Sequence, residues 1–111
     1  MEKKLGKIES VKFGLGGYQG VMFGLSVTLS GQAWGVGDFK GTWDCENIKV
    51  TEHTKWTEAD RTKNHDELIR FVSKLLKEAK VDSVDKLKGT PVECTFDGNI
   101  LKEWRVLTEV I

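Results

Sequence analysis

The stretch Gly14–Gly31, GLGGYQGVMFGLSVTLSG, decides the fold. Its second half alternates. Val21, Phe23, Leu25, Val27 and Leu29 fall on one face; Met22, Gly24, Ser26, Thr28 and Ser30 fall on the other. A period of two makes 21–29 a strand with one buried face and one small, polar face. The first half sets glycines around Tyr18 and Gln19, which lets the backbone turn tightly or come close to another group.

Upstream, Lys7–Phe13 reads as a strand with Ile8, Val11 and Phe13 inward. The alternation breaks between Ile8 and Val11, which predicts a bulge near Glu9 and Ser10. Residues 1–6 are charged and are expected to fray. Downstream, Gly31–Gly41 holds a third extended segment marked by Trp34, Val36 and Phe39, and Ile48–Thr51 offers a short fourth strand. Glycine spacing and alternation together predict a meander.

The helix is read from its apolar stripe: Leu68, Ile69, Val72, Leu75, Leu76 and Ala79. Those spacings lie on one helical face. Thr57-Glu58-Ala59-Asp60 supplies a capping residue and first-turn acids, so the helix is expected from there to about Lys80. Asn64-His65-Asp66-Glu67 is a competing start with its own capping box. A short second turn is expected from Ser83, stopped by Gly89. Pro91–Phe96 and Ile100–Val110 flank Asp97-Gly98-Asn99, which is hairpin-turn chemistry. The expected fold is a single α+β domain over residues 1–111. It is an antiparallel β-meander, then one amphipathic helix, then a C-terminal β-hairpin, with the helix over one sheet face.

Composition narrows the function. Lys plus Arg and Asp plus Glu are 17 each in 111 residues, so formal net charge is zero. That argues against general nucleic-acid binding, and leaves room for a local basic pocket. No apolar run reaches membrane-spanning length, and MEKKLGKIES has no signal-peptide core; the cytosol is the expected compartment. Cys45 and Cys94 are expected to be reduced thiols.

No motif names a chemistry. GLGGYQG puts Gln19 where a dinucleotide fingerprint needs its last glycine, and it leads into a strand instead of a helix. Cys45, His53 and His65, with Asp44, match no zinc spacing, so no metal is expected. The acid pairs Asp44/Glu46 and Glu58/Asp60 lack a nucleophile or cofactor loop beside them, and Glu58 and Asp60 suit a helix N-terminus anyway. The chain is therefore not expected to be an enzyme, and no cofactor is expected.

Four tryptophans are many for one small core. Trp104 sits in a strand and suits the core. Trp34, Trp43 and Trp56 lie in or beside connections. There they are either half-buried with bonded indoles, or an aromatic surface for a base or a partner protein. The binding candidates are Tyr18, Gln19, Trp34, Lys40, Trp43, Arg61 and Arg105. Unpaired meander edges also predict a homo-oligomer, most simply a dimer.

FGLGGYQ, LSVTLSG, WGVGDFKGTW, WTEADR and VDKLKGTPVECTFDGN together resemble a family of small proteins encoded by bacteriophages and prophages, over nearly the whole chain from Lys7. The resemblance implies a protein made by a phage in the cytoplasm of a bacterial host. It implies an accessory binding role, inhibiting a host defence protein or sequestering a defence signalling nucleotide. A phage structural or assembly component is the alternative. No site residue is carried over from the family.

Overall fold

The computed structural model describes residues 1–17, 22–43 and 57–111. Five antiparallel strands form one curled sheet: β1 (Glu2–Gly16), β2 (Met22–Gly31), β3 (Trp34–Trp43), β4 (Pro91–Asp97) and β5 (Ile100–Val106). Helix α1 (Glu58–Ala79) lies between β3 and β4 in sequence. The sheet order is β3-β2-β1-β4-β5. Among the described residues β3 and β5 are the two sheet edges, so the curled sheet is open between them.

β1 organises the rest. Its first half pairs with β4, Glu2 opposite Phe96 through Lys7 opposite Pro91, and Lys7–Gly16 pairs with β2. The expectation of frayed residues 1–6 is thereby corrected: from Glu2 onward they are strand. The charges of that segment stay at the surface while its backbone completes the β4 ladder. β1 also runs past Phe13 to Gly16, so Gly14–Gly16 belong to the strand and not to the connection. The bulge falls where the alternation breaks. Ile8 faces Leu29 and Ser10 faces Thr28, leaving Glu9 as the extra residue. At that bend Ile8 donates its N–H to the Thr90 carbonyl at 2.9 Å, and Gly89 donates to the Ile8 carbonyl at 2.7 Å.

The inner face holds the core. Ile8, Leu25, Val27, Leu29, Val92, Cys94, Phe96 and Val106 are buried against Leu75 and Ala79 of α1 and against Leu87. Leu87 belongs to a 3-10 turn, Val84–Leu87, at the predicted second turn. Ile69 departs from the predicted stripe and is 59% exposed. One buried strip suffices where the helix fills a gap in the sheet, and Ile69 lies beyond its rim. The N-terminus of α1 is the expected one. Thr57 accepts the Asp60 N–H at 3.1 Å, while the Asp60 carboxylate accepts the Thr57 N–H at 3.0 Å. This reciprocal box satisfies two otherwise orphaned donors.

Two tryptophans close the curl. Trp34 lies on the inner face across Gly31 and Gly6, whose added Cβ atoms would sit 2.4 Å and 2.8 Å from the nearest indole atom. Its ring reaches Phe96 edge-on, centroids 5.3 Å apart. A side chain at either glycine would lift the indole out of this trough. Trp104 joins β5 to β3 from the other side, as described next. The return strand ends at Val106, short of the predicted Val110; Thr108–Val110 form a 3-10 turn. The possible strand at Ile48–Thr51 lies outside the described residues.

Candidate functional site

The open seam between β3 and β5 is a cleft of about 320 Å³ floored by α1. Strand parity sets its walls. Asp38 pairs with Val27 and Lys40 with Leu25, so both side chains share the inner face with buried apolar residues. Trp104 pairs with buried Cys94 and is likewise turned inward. Its indole Nε1 donates to Asp38 Oδ2 at 2.7 Å. Phe71 and Lys74, three apart on α1, complete the lining with Glu78 and Glu103.

Among the described residues the charges of the cleft are not all paired. Asp38 is held by the indole. Lys40 Nζ stands 5.9 Å from the Phe71 ring centroid, a cation–π contact. Neither Lys40 nor Lys74 forms an ion pair among the described residues. The cleft therefore offers two ammonium groups beside two aromatic surfaces, Phe71 and Trp104. Three carboxylates, Asp38, Glu78 and Glu103, line the same cleft.

Of the sequence candidates, Lys40 and Arg105 both line this cleft. The Arg105 guanidinium is committed elsewhere. It donates to Glu109 at 3.0 and 3.1 Å and to Glu93 at 3.2 Å. The Glu109 bonds raise Arg105 above its usual range, with Glu93 adding to the effect, and Arg105 in turn lowers Glu109. Trp34 is packed over the glycine trough, away from the seam. Trp43 ends β3 opposite Met22 on the outer face and is 37% exposed. Arg61 pairs with Glu58 at 3.4 Å on the first turns of α1. Tyr18 and Gln19 lie outside the described residues, as do Trp56, Cys45 and His53.

Phe71, Lys74, Asp38 and Trp104 were not among the sequence candidates. Asp38 carried a readable signal. A carboxylate at an inward position of an otherwise apolar strand face needs a partner. The indole that meets it lies 66 residues away and could not be named from spacing.

The Cys94 thiol is buried and pushed up to about 11 by desolvation. Among the described residues no three His, Cys, Asp or Glu side chains gather as a metal site. No helix among them is long and apolar enough to cross a membrane. No family model, curated protein or solved structure matches the chain.

Proposed function

We infer that this is a non-enzymatic binding protein that sequesters a small nucleotide in the β3–β5 seam. One observation carries the reading: Lys40, Lys74, Phe71 and Trp104 surround a single cleft. The volume is at the lower end for small-molecule sites and suits a mononucleotide better than a larger ligand. The phosphate sits between the two ammonium groups and the base lies against the aromatic rings. The resemblance to phage-encoded proteins makes a defence signalling nucleotide the natural target, in the cytoplasm of a bacterial host. No cofactor or metal takes part.

A calorimetric panel of linear and cyclic nucleotides tests the reading. One class binds, and Lys40→Ala with Lys74→Ala removes the heat while melting stays within a few degrees of the parent. Absence of binding by any nucleotide at millimolar concentration overturns it.

A second reading, a phage assembly component, is favoured by a separate feature. Phe13, Leu15 and Phe23 share the inner face near the end of the β1–β2 pair and are 39%, 50% and 38% exposed. Self-association through that patch would also supply the expected dimer.

A further inference from the structure

β3 is an edge strand with one side of its backbone unpaired. Among the described residues no backbone hydrogen bond joins it to any element but β2. Among them, too, the one hydrogen bond from a β3 side chain to another element is Asp38 Oδ2 with the Trp104 indole. That bond lies on the inner face, whereas an added strand pairs in the plane of the sheet. Asp38 and Lys40 are both exposed at the middle of the edge. Neither forms an ion pair among the described residues.

Edge strands that stay single are guarded by inward-pointing charges, lysine above all. Here two inward charges of opposite sign stand two positions apart. Antiparallel pairing of two copies about a two-fold axis keeps each face of the sheet on its own side. The axis therefore passes at a single residue of β3, which meets its own copy. An axis at Asp38 or at Lys40 sets like charges face to face, and one at Gly37 leaves both charges opposite uncharged residues. An axis at Phe39 sets Asp38 opposite the partner's Lys40, and Lys40 opposite the partner's Asp38. Opposite charges directly across a ladder stabilise it, and like charges destabilise it. The edge thus rejects these other registers and suits this one.

We propose that two copies of the chain pair antiparallel through β3, with the two-fold axis at Phe39 and a ladder over Gly35–Trp43. Phe39, on the outer face, then meets its own copy. Trp43, 37% exposed, comes opposite the partner's Gly35, where no side chain stands in its way. The contact is isologous and closes at two copies. It is distinct from the Phe13, Leu15 and Phe23 patch and does not require a ligand in the seam.

Light scattering on the full chain at submillimolar concentration tests this. The parent has twice the chain mass, and the dimer loosens in high salt. Lys40→Glu and Asp38→Lys are each monomeric, with circular dichroism like the parent's. Mixed in equal amounts they form a dimer, because both cross-strand pairs are then of opposite charge. Lys12→Glu, the same charge change on β1, leaves the mass unchanged. In a Cys45→Ser background Phe39→Cys gives a disulfide-linked dimer, since the residue on the axis faces its own copy within bridging distance. Gly35→Cys in that background does not. The proposal is overturned by a monomeric parent, by a Lys40→Glu variant that stays dimeric, or by a mixture that stays monomeric though both variants are folded. It is equally overturned if cysteine cross-links as readily at 35 as at 39. A dimer that survives Lys40→Glu and is lost in Phe23→Ser would place the interface on the apolar patch instead.

Discussion

Trp104 Nε1 and Asp38 Oδ2, 2.7 Å apart, join the two edges of a five-stranded sheet. The bond stands in for the ladder that a closed barrel would have between β3 and β5. Hydrogen bonds to a charged acceptor contribute about 1.5–3 kcal/mol, less where water competes. Trp104→Phe and Asp38→Asn should therefore each destabilise the fold. A double-mutant cycle in urea should give a coupling of about 1 kcal/mol. Additive losses would mean that the bond does not hold the seam.

The glycines of the sheet divide into two classes, and stability measurements should separate them. Gly31→Ala pushes into the Trp34 indole, Gly6→Ala meets the Ser30 backbone oxygen as well as that indole, and each should cost about 1–3 kcal/mol through overpacking. Gly35→Ala, with only an ordinary contact at 3.8 Å, should be neutral or stabilising by up to about 1 kcal/mol. Urea midpoints in the reverse order would remove the glycine trough from the account of the curl.

Leu75 is 4% exposed in the strip that α1 turns to the sheet. Leu75→Asp places an unpaired carboxylate there and should unfold the protein at neutral pH. Ile69→Asp, on the solvent side of the same helix, should melt within a few degrees of the parent. Circular dichroism of the pair tests which face is buried.

Acid should weaken the N-terminus of α1. Asp60 is held below its ordinary value, first by the Thr57 backbone N–H and then by the Thr57 hydroxyl. A lowered carboxylate favours the folded state fully above its unfolded pKa. That contribution disappears as pH falls through the folded pKa. The urea midpoint of the parent should therefore exceed that of Asp60→Asn at pH 6, and the gap should narrow with acidification below pH 4. A gap independent of pH would mean that the carboxylate charge is irrelevant to the cap.

Cys94 should be silent toward thiol reagents in the folded state, being fully buried and pushed up to about 11. In a Cys45→Ser variant it is the only cysteine left. Labelling of that variant by an aromatic disulfide at pH 8 should be slow in buffer and complete in urea. Rapid labelling in buffer would contradict the packing of β4 against the core.

Local signals determined the elements. The alternation of 21–29 made β2, the break after Ile8 made the bulge at Glu9, the Thr57–Asp60 spacing made the cap, and Asp97-Gly98-Asn99 made the last turn. Each reflects forces between residues a few positions apart, which leave a period or a spacing in the chain. Other features needed tertiary structure. The segment 2–6 looked like a charged tail because strand pairing with β4 is a backbone interaction that side chains do not announce. The turn at Gln32-Ala33 has no turn residue in its usual sense, and Ala33 takes φ 63°. Trp34 became a packing residue because Gly31 and Gly6, 25 positions apart, both lie against its indole. The seam cleft draws Lys40 from β3, Phe71 and Lys74 from α1 and Trp104 from β5. Their meeting depends on how far the sheet curls, and curl is set by packing across the whole core, so no local pattern encodes it.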